Sequence, residues 1–136
     1  MKIAVLGYGT VGSGVVEVLD VNQKLIASRA KEEIEVKYVL DLRDFPGDKI
    51  QEKIVHDYEI ILNDPEIGIV VEVMGGVEPA NTFVRKALEA GKSVVTSNKA
   101  LVAKHGSALL KTAREKNVNF LFEASVGGGI PILRAL

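Results

Sequence analysis

The chain opens on a short apolar run, Lys2–Leu6 (KIAVL), that breaks directly into Gly7-Tyr8-Gly9-Thr10-Val11-Gly12. Val11, Val15, Val18 and Leu19 then follow at helical spacing. Few folds accommodate that order. An apolar strand without polar alternation is buried on both faces. The glycines turn the chain sharply, and a helix from about Thr10 to at least Leu19 has to pack back onto the sheet it has just left.

The same alternation continues. Glu35–Leu40 (EVKYVL) reads as a second strand ending at Asp41, and Phe45-Pro46-Gly47-Asp48 is a cluster of turn residues. Asp57–Leu62 reads as a short helix closed by Asn63-Asp64-Pro65. Ile69–Val73 is a third strand ended by Gly75-Gly76, and Pro79 opens a helix at its first turn, where a missing N–H costs nothing. Ala80, Phe83, Val84, Ala87 and Leu88 give that helix one apolar face, and Gly91 ends it. Ser93–Thr96 is a fourth strand. A helical region over Lys99–Lys116 is expected to break at His105-Gly106, and Asn119–Glu123 is a fifth strand, followed by Gly127-Gly128-Gly129. Apolar strands alternating with helices imply a parallel sheet covered on both faces. With right-handed crossovers the fold class is α/β, a doubly wound parallel sheet.

In such a sheet ligands sit beyond the carboxyl ends of the strands, and the glycine and polar clusters of this chain all fall there. Gly7, Gly9 and Gly12 form GxGxxG between a strand and a helix, the pattern of a Rossmann-type dinucleotide site. Gly7 permits the turn, Gly9 lets the backbone approach a pyrophosphate, and Gly12 lets helix and strand pack closely. The amides of Thr10 and Val11, at the positive end of the helix, are the expected phosphate donors. The alternative, a plain structural glycine turn, needs no ligand. An acid holding the ribose hydroxyls ordinarily lies ~20 residues past the glycines. Asp41 ends the second strand but lies 29 residues after Gly12, which a longer first helix and loop would absorb. Arg43 could instead hold a 2′-phosphate, or be solvated while Asp41 caps the turn. The reading leans to NAD, with NADP also open.

Composition narrows the classes. With 136 residues the chain is the size of one domain, and 47% hydrophobic residues suffice for a core. It has no cysteine, which excludes disulfides, thiolate metal sites and thiol nucleophiles. No apolar run is long enough to span a bilayer, and the opening one is cut short by Gly7, unlike a secretory signal. A net charge of −1, without a basic block, argues against a nucleic-acid or membrane-surface partner. The expected compartment is the cytoplasm.

Three stretches go further than cofactor binding. They are Val71-Glu72-Val73-Met74-Gly75-Gly76 with Glu78-Pro79-Ala80, then Val94-Val95-Thr96-Ser97-Asn98-Lys99-Ala100-Leu101, then Phe122-Glu123-Ala124-Ser125-Val126-Gly127-Gly128-Gly129-Ile130-Pro131-Ile132. In this order and spacing, with the opening GYGTVG, they resemble the homoserine dehydrogenases over nearly the whole chain. Residues 20–53 follow no pattern of that family. The resemblance implies NAD(P)-dependent interconversion of L-homoserine and L-aspartate 4-semialdehyde, on the route to threonine and methionine. It implies that residues 1–136 are the NAD(P)-binding domain. A second domain after residue 136 would carry most of the substrate site and build a homodimer. A helix beginning at Ile130 and cut at Leu136 fits that expectation.

The lysine of the family's Asn-Lys-Ala motif lies in the active site, and Lys99 matches it. An ammonium there would stabilise a developing alkoxide or contact the cofactor. The bland alternative, a solvated lysine, would place a cation against the positive end of a helix. Gly75 and Gly76 let the chain pass close to the nicotinamide ribose, or simply turn. Ser97 and Asn98 either bond the nicotinamide carboxamide, orient Lys99, or only cap the next helix. The resemblance also implies a monovalent cation, sodium or potassium, on Glu123 and the carbonyls of Val126, Gly128 and Ile130. Capping of that loop by Glu123 is the alternative. His56 and His105 are expected at the surface without a special role. Rival functions are aspartate dehydrogenase, a sugar-type oxidoreductase, or a dinucleotide-sensing domain without chemistry.

Overall fold

The computed structural model describes residues 1–21 and 35–122. The elements in chain order are β1 (Lys2–Leu6), α1 (Thr10–Val21), β2 (Glu35–Leu40), a 3-10 helix (Lys49–Lys53) and β3 (Ile54–Val55). They continue as α2 (Tyr58–Leu62), β4 (Ile67–Glu72), α3 (Ala80–Glu89), β5 (Ser93–Thr96), α4 (Lys99–Lys116) and β6 (Phe120–Phe122). The strands form one six-stranded sheet in the order β3-β2-β1-β4-β5-β6, with every neighbouring pair parallel. This is the doubly wound order, and its direction reverses between β1 and β4.

The apolar strands are buried on both sides. Ala4, Leu6, Val70 and Val94 face the layer of α2, α3 and α4, where Ile61, Val84, Leu88, Leu101 and Leu109 meet them. Ile3, Val5, Val39, Val71 and Val95 face the other way, onto Val15 of α1. Each buried Val, Leu or Ile side chain among them contributes roughly 1.5–3 kcal/mol relative to exposure. Lys92 is buried just before β5, and its ammonium donates to the carbonyls of Asp64 (2.8 Å) and Ile67 (3.0 Å). It thereby ties the start of β5 to the start of β4. Burial depresses its pKa.

Several boundaries move from those expected. β4 covers Ile67–Glu72 rather than Ile69–Val73, and Asp57 lies outside α2 as its N-cap, accepting from the amide of Glu59 at 3.0 Å. Pro79 precedes α3 instead of opening it. The Glu78 carboxylate closes that end by accepting from the Thr82 hydroxyl (2.8 Å) and amide (3.2 Å). The break expected at His105-Gly106 does not occur, because α4 is continuous and Gly106 is buried within it. The sequence reading omits the 3-10 helix and β3, neither of which has an apolar period to show. The expected cation ligands Glu123, Val126, Gly128 and Ile130, and the expected helix from Ile130, lie outside the described residues.

Candidate dinucleotide site

Register alone brings the motifs to one edge. Leu6 at the end of β1 pairs with Glu72 at the end of β4, and Glu72 pairs with Thr96 at the end of β5. The loops that follow, Gly7–Gly12, Val73–Gly76 and Ser97–Lys99, therefore leave the sheet side by side at the switch point.

The glycine turn is tightly held. The Gly7 amide donates to the carbonyl of Leu40 (2.8 Å), and the Tyr8 amide donates to the Asp41 carboxylate (2.9 Å). Intrahelical bonding starts with the Ser13 amide on the Gly9 carbonyl (2.9 Å). Among the described residues nothing accepts from the amides of Gly9, Thr10 and Val11, which stand free at the positive end of α1. A side chain on Gly9 would meet nothing within 4 Å, so the space above those amides is open. A side chain on Gly12 would strike the Gly7 carbonyl oxygen at 2.0 Å, so α1 lies against β1 as closely as backbones allow. An open approach above free amides is what a diphosphate requires.

Beside the turn lies a cleft of about 490 Å³, within the size range of ligand pockets. Gly7, Gly9, Asp41 and Arg43 line it together with apolar Leu40, Leu42, Val73, Met74 and Phe83. The 3.0 Å ion pair between Arg43 and Asp41 has a second guanidinium nitrogen on the other carboxylate oxygen, also at 3.0 Å, and the Arg43 amide adds a third bond at 2.9 Å. The guanidinium foremost, opposed in part by burial, lowers the Asp41 pKa to about 2. Arg43 is thus exposed and paired at once. Asp41 caps the turn and faces the cleft in the same geometry. Tyr8 packs edge-on against Phe45, with ring centroids 4.9 Å apart, and Arg43 lies over Phe45 at 5.1 Å.

His56 departs from its expected idleness. It is exposed, as read, but it lines the cleft and its ring is held on both sides. Nδ1 meets the Asp41 carbonyl at 2.7 Å and Nε2 meets the Asp44 carboxylate at 2.9 Å. Both partners accept, so both contacts are hydrogen bonds only for the imidazolium. The same two partners raise the pKa, the carbonyl of Asp41 first. A raised folded-state value gives stability that is complete below the ordinary histidine value of about 6.5 and lost as pH rises through the folded value. The melting temperature is accordingly expected to fall as pH rises from below the ordinary histidine value through the raised one, and to fall less in His56→Gln. Melting curves across that range test this, and identical slopes in the two proteins would refute it.

The second half of the edge is built on a buried carboxylate. Glu72 is 0% exposed and accepts from the Thr96 hydroxyl (2.7 Å), the Met74 amide (2.8 Å) and the Asn98 side-chain amide (3.5 Å). Asn98 also donates to the Gly76 carbonyl (2.6 Å) and accepts from the Leu101 amide (3.1 Å) as the N-cap of α4. It both caps the helix and braces the glycine loop, where Gly75 and Gly76 have φ of 80° and 73°, backbone that favours glycine. The Ser97 amide donates to the Glu72 carbonyl at 3.3 Å. Lys99 is the first residue of α4, exposed, on the same edge of the sheet as Gly9. Gly75, Gly76, Ser97, Asn98 and Lys99 do not line the 490 Å³ cleft; they continue the edge past it toward β5. Sequence reading missed the anchoring by Glu72, whose signal was one acid in an otherwise apolar strand. It also missed Leu42, 91% exposed on the rim of the cleft between two charged residues.

Comparison with known proteins agrees with this geometry. Residues 7–123 match the family described as homoserine dehydrogenase, NAD binding domain. The homoserine dehydrogenase of Lactococcus lactis is 44% identical over 145 aligned positions, covering 100% of this chain and 33% of that protein. The crystal structure of the Staphylococcus aureus homoserine dehydrogenase at pH 7.5 superposes with a TM-score of 0.84 at 41% identity, over 92% of this chain and 32% of that one. A hyperthermophilic archaeal homoserine dehydrogenase mutant in complex with NADPH superposes at 0.72 with 25% identity, over 92% of this chain and 44% of that one. The chain therefore spans about a third of the length of the curated relatives it matches. Sheet order, glycine turn and family match agree that the chain belongs to the homoserine dehydrogenase family, as its NAD-binding domain.

Proposed function

We propose that this chain is the cofactor domain of an enzyme that interconverts L-homoserine and L-aspartate 4-semialdehyde with NAD or NADP. The observation that carries the reading is the shared edge: free amides of Gly9, Thr10 and Val11 at one end, and the Lys99 ammonium further along. The amides take the diphosphate. The apolar wall of Leu40, Leu42 and Phe83 suits an adenine ring, and Asp41 suits the ribose hydroxyls beside it. The nicotinamide half then falls over Gly75, Gly76 and Asn98. When bound, the dinucleotide supplies the carbon that gives or accepts hydride. Lys99 stabilises the oxygen that becomes alkoxide and holds the proton exchanged there.

NAD is the favoured cofactor in this reading. A 2′-phosphate would face the Asp41 carboxylate, and Arg43 would have to leave its bidentate partner to meet it. Most of the substrate site, and a homodimer interface, belong to a second domain following residue 136.

The experiment is a steady-state assay of the full-length protein with L-homoserine and each dinucleotide, beside a binding titration of residues 1–136. The expected result is turnover of homoserine by the full-length protein. The isolated domain should bind dinucleotide, NAD more tightly than NADP, and turn over negligibly. Turnover of L-aspartate in place of homoserine, or dinucleotide binding without any turnover, would reject the reading.

A further inference from the structure

Glu72 is a carboxylate with no contact to solvent, at the carboxyl end of β4, on no face that a small-molecule substrate could reach. A buried carboxylate is costly to keep, and an apolar residue of similar size would often serve packing as well. What a carboxylate does here is accept from three directions at once. It takes the Met74 amide of its own loop, the Thr96 hydroxyl of the neighbouring strand, and the Asn98 side chain that in turn holds the Gly76 carbonyl and the first turn of α4. Thr96 adds a further brace, because its hydroxyl oxygen accepts from the Asn98 amide at 3.0 Å. Two glycines with positive φ would otherwise leave the loop many conformations.

We infer that Glu72 is the positioning residue of the nicotinamide half: it fixes the Gly75–Gly76 loop and, through Asn98, the backbone that carries Lys99. This rests on the placement of the nicotinamide half proposed above. Glu72 touches neither cofactor nor substrate. It acts by removing the entropy that the loop would lose on binding.

The test compares NAD+ with ADP-ribose, which keeps the adenosine and diphosphate but lacks the nicotinamide. Both are titrated calorimetrically into the chain as it stands. In the wild type NAD+ binds more tightly than ADP-ribose. E72A is expected to weaken NAD+ by about 10-fold while leaving ADP-ribose within about 2-fold, and E72Q, which keeps one acceptor in place, to recover most of the loss. Should E72A fail to fold, T96V keeps the strand's shape, removes the hydroxyl that braces the carboxylate, and is expected to show the same selective loss at about 3-fold. Equal losses on both ligands, or no loss on either, would overturn the inference with the placement intact. A wild type that binds the two ligands equally would overturn the placement itself, and the inference with it.

Discussion

Gly12→Ala is expected to cost the domain roughly 3 kcal/mol of stability and about 100-fold in dinucleotide affinity. The Cβ has nowhere to go: it would stand 2.0 Å from the Gly7 carbonyl oxygen and 2.9 Å from its carbon. That peptide cannot move aside, since the Gly7 amide is bonded to Leu40 and the Tyr8 amide to Asp41. Either α1 lifts away from β1 or the turn opens, and both aim the free amides away from the diphosphate. Losing one or two charge-assisted hydrogen bonds at about 1.5–3 kcal/mol each gives a loss of that size. Gly14→Ala is the matched control. It lies in the same helix, its Cβ would meet nothing within 4 Å, and it is expected to stabilise by about 0.5–1 kcal/mol. Thermal melts with NAD+ titrations check both. A Gly12→Ala domain that melts and binds like the wild type would show that the close approach is unimportant.

Lys99→Met is expected to lower kcat for homoserine by about 10²–10³ in the full-length protein while dinucleotide binding changes little. The same substitution should leave the domain slightly more stable, by about 0.3–1 kcal/mol, because it removes a cation from the positive end of α4. Opposite signs on stability and turnover distinguish a catalytic lysine from a solvated one. Kinetics and melting temperatures on the one variant decide it: unchanged kcat would assign Lys99 to the surface.

The sheet was legible because its signal is long and repeated. KIAVL, EVKYVL and SVVT admit no helical face, and glycine or a polar cluster stops each of them at the edge where loops must form a site. The family was legible because its motifs are contiguous stretches. What was not legible depends on residues that meet only in the folded chain. His56 acquires its role from Asp41 and Asp44, and no spacing in the sequence announces residues 15 and 12 positions upstream as its partners. Glu72 shows no task within its motif because two of its donors, Thr96 and Asn98, come from another segment of the chain. Gly106 reads as a helix breaker at about 1 kcal/mol relative to alanine, a cost that packing of the 18-residue α4 outweighs. The strand β3 has two residues, too few for any period.

The most direct test of the account is the amide NMR spectrum of this chain as NAD+ is added. The largest shifts are expected at Gly9, Thr10 and Val11, followed by Gly75, Gly76 and Lys99, all on one edge of the sheet. Shifts concentrated instead at Gly68, Gly91 and Asn117, on the opposite edge, or no shifts in a folded domain, would contradict it.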